Sequence, residues 1–233
     1  MALSKTVVIT IVVVILLLIF IAWLSKDSSS IGTYGDATVA QTITASSLDS
    51  DDTTSNFTYS VWINVKDWNY RYGEPKTILS RSSVNGPPSP LISLGAFEND
   101  VTTHLAVYGT NSSTAQHQQC RVKNIPLQKW VNIIVSLYGR SLDIYIDGKL
   151  VRTCVLSNTV KTTNGDIQLC PDGGFSGWIS NVKFWGKAKN PQEAYNIYKA
   201  GYGSGGSLGD LFNKYRLKFV FLVDNEDKGS FEI

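Results

Sequence analysis

The sequence predicts an all-β fold, a two-sheet antiparallel sandwich with one short helix, preceded by a single N-terminal transmembrane helix. Three observations favour this class: segments in which apolar and polar residues alternate, turn residues between those segments, and one long apolar block near the start of the chain. Many short strands separated by turns are typical of a sandwich. The strand-rich part has about 150 of the 233 residues, which is enough to bury a core.

The charge balance excludes one class of partner. Lys and Arg number 21 while Asp and Glu number 19, so the formal net charge is +2. Proteins that bind nucleic acid use a basic face to neutralise phosphates, and we therefore expect no nucleic-acid partner. Aromatic residues make up 11% of the chain, which argues against disorder over its whole length.

The first element is an apolar block at residues 6–24 that contains no charge, Gly or Pro. As a helix these 19 residues would be about 28 Å long, close to the roughly 30 Å hydrocarbon core of a bilayer. The block runs from Thr6 through Leu17 to Leu24, with Trp23 at a position typical of the lipid–water interface. A signal peptide has a shorter apolar core and a small-residue cleavage site, so we expect an uncleaved anchor and a single-pass membrane protein.

Composition divides the rest of the chain. Ser, Thr, Asp and Gly are frequent in the segment after the anchor, which we expect to form a stalk with one candidate strand at 37–43. The complete division is a flank at 1–5, the anchor at 6–24, the stalk at 25–52, the sandwich at 53–200, a Gly-rich linker at 201–209 and a C-terminal arm at 210–233.

Alternation is clearest at 57–65, where the odd-numbered residues are apolar and most of their neighbours are polar. Comparable patterns predict strands at 130–138, 142–146, 150–156 and 178–185. A Gly139–Arg140 turn and an Asp147–Gly148 turn join the middle three strands into hairpins, because Gly tolerates a positive φ.

One helix follows the last of these strands. Asn190 is a suitable N-cap, Pro191 fits the first helical position, and Glu193 completes a capping box. Gly201 then ends the helix.

The C-terminal arm alternates apolar and basic residues. Its apolar positions are Tyr215, Leu217, Phe219 and Phe221. Three structures remain open for this interaction arm: a strand added to a neighbouring protein, a strand folded back on the sandwich, and an amphipathic helix.

Three cysteines allow three single pairings or a fully reduced set. We favour a Cys120–Cys154 disulfide, because one residue precedes the strand at 130–138 and the other lies beyond the following hairpin, so that the two can lie on neighbouring strands. The alternative is three small, buried thiols.

Three segments, at 57–65, 126–151 and 175–198, resemble the concanavalin A-like lectin/glucanase superfamily in its laminin-G and pentraxin branch. The most recognisable stretch is a tryptophan-led strand, the hairpin after it and the Asp147–Gly148 turn. The resemblance extends over about residues 53–199 and implies a jelly-roll sandwich.

Four stretches, at 147–156, 171–178, 190–203 and 231–233, are similar to membrane-anchored members of this superfamily encoded by large nucleocytoplasmic DNA viruses. The similarity implies a structural virion protein, a minor capsid/membrane protein that links an internal membrane to the capsid shell. Its implied partners are the lipid membrane and capsid or other virion proteins, and its location is the virion interface between them. The alternative function is a membrane-anchored lectin that binds host glycans for attachment.

No enzymatic activity is expected. Glucanases that share the fold use a pair of carboxylates about 5 Å apart for retaining hydrolysis. No such pair is evident in the sequence among the five glutamates, which are Glu74, Glu98, Glu193, Glu226 and Glu232. Asp143 and Asp147 are expected on a solvated strand face, and neither His104 nor His117 stands at ligand or triad spacing.

A loop after the first predicted sandwich strand carries the aromatic candidates Trp68, Tyr70 and Tyr72 beside Arg71. Three interpretations remain open: packing against the sheet, contact with a protein partner, and stacking on a glycan.

No metal or cofactor is expected, although the resemblance makes calcium an alternative. Candidate oxygen ligands are Asp67, Asn69 and Glu74 in the aromatic loop and Asp172 in a separate turn, all of which also suit ordinary turns. Asn56 and Asn111 begin N-glycosylation sequons, which matter only if the domain enters the secretory lumen.

Overall fold

The structure is a computed structural model that describes residues 29–32, 34–48, 55–83, 86–109, 115–161 and 163–203. It also describes Val13 and Leu16 as helical, and the backbone of two strands at 218–223 and 226–232. The predicted anchor positions Thr6, Leu17, Trp23 and Leu24 lie outside the described residues. Within the part of the chain that is described, no helix has the length and apolarity needed to cross a membrane.

Apart from the helical residues Val13 and Leu16, fifteen strands and one helix are described. In chain order they are β1 (Ser30–Gly32), β2 (Gly35–Asp36), β3 (Gln41–Ile43), β4 (Phe57–Asp67), β5 (Lys76–Arg81), β6 (Leu91–Leu94), β7 (Val101–Tyr108), β8 (Ala115–Val122), β9 (Trp130–Tyr138), β10 (Ser141–Ile146), β11 (Lys149–Val155), β12 (Ile167–Leu169), β13 (Ser176–Trp185), α1 (Pro191–Lys199), β14 (Lys218–Val223) and β15 (Glu226–Glu232). Short 3-10 turns lie at Ala45–Ser47 and Pro171–Gly173.

The first thirteen strands form two antiparallel sheets. One sheet has the order β1-β13-β4-β9-β10-β11, with β2 also pairing with β13, and the other has the order β3-β12-β5-β6-β7-β8. Their facing surfaces enclose one hydrophobic core. The prediction of a two-sheet all-β sandwich with a short helix is therefore confirmed.

The period-two pattern explains which face of each strand is buried. In β4 the odd-numbered residues, such as Val61 and Ile63, point into the core and are almost fully buried. Thr58 on the opposite face is buried too. Its hydroxyl lies 2.9 Å from the Lys187 carbonyl oxygen and 3.0 Å from the Ser136 hydroxyl, within hydrogen-bonding distance of both. The pairing of β4 with β9 joins the two longest alternating segments at the centre of the sheet.

The segment predicted as a stalk differs most from expectation. Residues 29–48 supply β1, β2 and β3, and thus add strands to both sheets. Ala37 and Leu48 from this segment belong to the core. The stalk prediction is wrong for these residues, because short strands at sheet margins carry too few apolar side chains to produce a visible alternation. At the C-terminal boundary of the domain, the backbone carbonyls of Gly201 and Tyr202, from the predicted linker, accept hydrogen bonds from side chains of β13.

Helix α1 has the predicted cap. The Asn190 side chain accepts from the Glu193 backbone N–H at 2.9 Å, and the Glu193 carboxylate accepts from the Asn190 N–H at 3.0 Å. Hydrogen bonds from the Lys189 ammonium and from the Asn190 backbone N–H hold the pKa of Glu193 below its usual value. Gly201, at φ 84°, closes the C-terminus. Ala194 packs against a small cluster on the outer face of the first sheet.

The Cys120–Cys154 disulfide is confirmed, with a Cα–Cα distance of 6.0 Å. Its position differs from the prediction, because β8 and β11 are edge strands of different sheets rather than neighbours in one sheet. The bond therefore ties the two layers together along one side. Cys170 is free and buried, and burial raises the pKa of its thiol to about 12.

In the C-terminal arm, β14 pairs with β15 as an antiparallel hairpin. The arm does not belong to the compact unit formed by residues 28–203. The helical alternative is wrong for 218–223, where Phe219 and Phe221 lie in a strand. Tyr215 and Leu217 lie outside the described residues.

Strand β4 defines the two ends of the sandwich. At its Phe57 end, the chain enters the fold where Phe184 N–H donates to the Ser29 carbonyl at 3.0 Å. We call this the proximal end. At the Asp67 end, which we call the distal end, β4 is followed by the loop with the aromatic candidates. The 11 residues of β4 separate the two ends by about 35 Å.

Candidate binding site at the distal end

The loop between β4 and β5 holds the four predicted contact residues, and the structure gives them different environments. Trp68 packs against the core, and its ring N–H donates to the Phe97 carbonyl at 3.3 Å. The Lys76 ammonium lies 4.6 Å from the centre of the same ring. For Trp68 the interpretation as a packing residue is therefore correct.

Tyr70 and Arg71 fasten the loop to a second turn. The Tyr70 hydroxyl donates to the Gly173 carbonyl at 3.0 Å, and Arg71 Nη1 donates to the Gly174 carbonyl at 3.4 Å. Arg71 also forms an ion pair with Glu74 at 2.9 Å. The polar groups of the loop are thus largely occupied by contacts within the protein.

Tyr72 is the predicted residue that remains open to solvent, with 59% of its surface exposed. It meets Phe97, which is 64% exposed, in an edge-to-face arrangement with ring centres 5.6 Å apart. A backbone hydrogen bond from Gly73 N–H to the Ala96 carbonyl holds the two loops together. Phe97 was not singled out in the sequence, because an isolated Phe in a polar turn gives no periodic signal.

A depression of about 410 Å³ opens beside this exposed aromatic pair. It is lined by Trp68, Phe97, Glu98, Asn99, Asp100, Lys123, Asn124 and Leu127. Its rim is an ion-pair network in which Arg121 contacts both Glu98 and Asp100, and Lys123 lies 3.7 Å from Glu98. The combination of an aromatic wall with a charged, internally paired rim is typical of a recognition surface.

Two charged groups lie buried beneath the loop region. Lys76 is fully buried, and burial together with the nearby Arg71 charge lowers the pKa of its ammonium. Neither its Nζ nor Asp100 Oδ1 has a hydrogen-bond partner within the described residues. The Trp68 ring supplies a cation–π contact to the Lys76 ammonium.

The structure brings the two candidate calcium loops side by side, because Tyr70 and Arg71 contact the turn that contains Asp172. The individual ligands are used locally: Asp67 accepts from the Asn69 N–H at 2.9 Å, and Glu74 pairs with Arg71. In the part of the chain that is described, no three His, Cys, Asp or Glu side chains are grouped to hold a metal ion.

His104 lies in β7 and His117 in the neighbouring strand β8 of the second sheet. His104 is opposite Gln119, and His117 is opposite Ala106. Burial lowers the pKa of His104, and the nearby His117 lowers it further. Asp143 accepts from the Thr153 hydroxyl at 2.6 Å on the outer face of the first sheet. The expectation that the protein lacks catalytic residues stays a prediction.

The two sequons differ in how much of their surroundings is described. Asn56 accepts from the Gly139 N–H at 2.7 Å, and the sequon hydroxyl of Thr58 is buried. Asn111 lies outside the described residues. Glycosylation stays a prediction at both positions.

A second aromatic group at the distal end combines four parts of the chain. Tyr34 stacks on Trp178 at 5.1 Å, Trp130 stacks on Tyr202 at 4.7 Å, and Lys66 lies 4.8 Å from the Trp178 ring centre. Tyr34 and Tyr202 come from the segments predicted as stalk and linker, which is why the sequence did not show the group. The distal end is therefore rich in exposed aromatic surface.

The two curved antiparallel sheets and their loop site define a lectin-like jelly roll. The laminin G family match, described as concanavalin A-like lectin/glucanases superfamily, covers residues 36–194. The match covers well over half of the chain, and the chain belongs to this superfamily. Comparison with curated proteins finds no match.

Solved structures agree on the fold. The botulinum neurotoxin serotype G binding domain is 18% identical with a TM-score of 0.53, over 74% of this chain and 47% of that one. The binding domain of botulinum neurotoxin DC, solved in complex with rat synaptotagmin II, is 16% identical with a TM-score of 0.54, over 69% and 40%. This chain spans less than half the length of either neighbour.

Proposed function

We propose that the protein is a non-enzymatic, single-pass membrane protein with a structural role, in which the jelly roll holds a protein contact surface away from the membrane. The observation that carries the proposal is that the entry point of the chain and the exposed aromatic pair lie at opposite ends of β4. The chain enters the sandwich at the proximal end, and the exposed Tyr72–Phe97 pair lies at the distal end. The length of β4 makes the domain a spacer of about 35 Å.

A protein partner fits the distal surface better than a sugar does. Sugar recognition needs free polar groups beside the stacking ring, whereas Tyr70, Arg71 and Glu74 are already bonded to one another or to the adjacent turn. Exposed aromatic residues on a rigid support are the usual anchors of protein interfaces.

The identity of the two linked layers comes from the resemblance to membrane-anchored virion proteins. On that basis the anchor at 6–24 lies in an internal virion membrane, and the distal surface contacts the capsid shell. The C-terminal hairpin supplies a second contact. Neither a metal nor a cofactor takes part in this role.

The test replaces Tyr72 and Phe97 with Ala in the full chain, with Tyr195→Ala as the control, because Tyr195 is an exposed aromatic residue of α1 outside the distal site. Truncating an interface anchor costs at least about 2 kcal/mol. We therefore expect the double variant to stay in the membrane but to leave the protein shell when detergent removes the lipid, as measured by the fraction that sediments with shells. Equal retention of the double variant and the control would contradict the proposal.

Glycan attachment is the second candidate, and the depression beside Phe97 favours it. The polar residues Glu98, Asn99 and Lys123 border an exposed ring there, although Glu98 is paired with Arg121 and Lys123. Binding of the full chain to a glycan array that is lost in Phe97→Ala would support this function. In that case Trp68→Ala is a poor test, since Trp68 supports the loop.

A further inference from the structure

The most exposed large apolar and aromatic side chains that the structure describes lie at the proximal end. Val155 is 77% exposed and Tyr138 is 73% exposed, although neither lies near the distal site. Tyr108 is also exposed, and the Lys161 ammonium lies 5.2 Å from its ring centre. Single exposed apolar residues are common, but several at one end of a sandwich form a surface.

In the first sheet, strand register places Tyr138 and Val155 level with the point where the chain enters the sandwich. Ser141 pairs with Tyr138 on one side and with Val155 on the other, and the β9 end near Leu137 pairs with Phe57. Three strand spacings separate Ser29 from Tyr138, or about 15 Å, and five separate it from Val155, or about 24 Å. Exposed Arg140 lies in the turn that directly follows Tyr138.

The connection to the proposed anchor is short. Only residues 25–28 lie between Leu24 and Ser29. The five Cα–Cα steps from Leu24 to Ser29 span about 17 Å when the chain is fully extended. A helix that ends in the membrane therefore keeps the proximal end close to the lipid surface.

We propose that the proximal end rests on the membrane, with Tyr138, Val155 and Tyr108 in the headgroup layer and Arg140 among the lipid phosphates. The proposal rests on the proposed anchor and adds the lipid-contact surface of the sandwich itself. Tyr prefers the interface because its ring is apolar and its hydroxyl is polar, and long basic side chains extend toward headgroups.

Aromatic and apolar contact, rather than net charge, carries the interaction. The described proximal end also has an acidic residue, Asp166, whose carboxylate accepts from the Ala45 N–H at 2.8 Å. Contact at this end gives the domain one orientation and directs the distal aromatic pair away from the bilayer.

The experiment measures the distance of each end from the lipid headgroups. Tyr138→Cys, Val155→Cys and Tyr72→Cys each give the full chain one reactive thiol, because Cys120 and Cys154 are bonded and Cys170 is buried. An environment-sensitive fluorophore is attached, and each protein is reconstituted into phosphatidylcholine–phosphatidylserine vesicles with nitroxide-labelled headgroups. Tyr72 is the matched control, since it is a similarly exposed aromatic residue at the other end of β4.

We expect all three proteins to float with the vesicles, and the nitroxide to quench the labels at 138 and 155 several-fold more than the label at 72. If the proteins float but the quenching is equal at both ends, the lipid-contact surface is wrong while the anchor stands. If the proteins do not float, the anchor and the proposal built on it both fail.

Discussion

At the scale of single residues, Tyr70 and Tyr72 show how far local sequence can predict a site. Both lie in one aromatic loop and have the same chemistry, yet one hydroxyl is bonded to Gly173 and the other ring faces solvent. The sequence predicted a loop after the strand at 57–65, and the structure has one between β4 and β5. It could not separate the two roles, because the deciding partner lies 103 residues away along the chain.

This difference predicts that loss of the hydroxyl lowers stability more at Tyr70 than at Tyr72. Tyr70→Phe should lower the free energy of unfolding by about 1 kcal/mol, since the Gly173 carbonyl loses its donor. Tyr72→Phe, two positions along the loop, should change it by less than about 0.5 kcal/mol. Urea denaturation followed by tryptophan fluorescence measures both. Equal destabilisation by the two variants would contradict the assigned contacts.

At the scale of elements, strands with a long alternation of apolar and polar residues could be predicted from the sequence, and short or polar strands could not. The bounds of β9 were predicted to the residue, and the capping box of α1 was predicted in full. The second sheet was largely missed. Strand β8 is an edge strand rich in Gln, β6 has four residues and β12 has three, so none shows a sustained alternation.

The Cys120–Cys154 disulfide joins the two sheets, and its loss should lower the free energy of unfolding. Closing a loop with a sequence separation of 34 residues stabilises the fold by about 3–4 kcal/mol in the chain-entropy model. Reductant should therefore shift the urea midpoint of the natural chain but leave that of a Cys120→Ser/Cys154→Ser double variant unchanged. A midpoint of the natural chain that does not respond to reductant would show that the sheets do not depend on this bond.

At the scale of the whole molecule, fold class was predictable and the domain boundary was not. Residues 29–48 look like a polar stalk but complete both sheets, so the sandwich begins almost directly after the proposed anchor. In the proposed function, that boundary gives the two ends of the domain different roles. It follows from strand pairing between segments about 150 residues apart, which composition cannot reveal.

The central claim is that the sandwich has one end for the membrane and one for a protein partner. Photo-cross-linking in the native membrane particle tests it most directly, with a benzophenone amino acid placed at position 72 or at position 138 of the full chain. We predict a specific protein adduct from position 72 and lipid adducts from position 138. The same protein adduct from both positions, or lipid adducts from position 72, would contradict the claim.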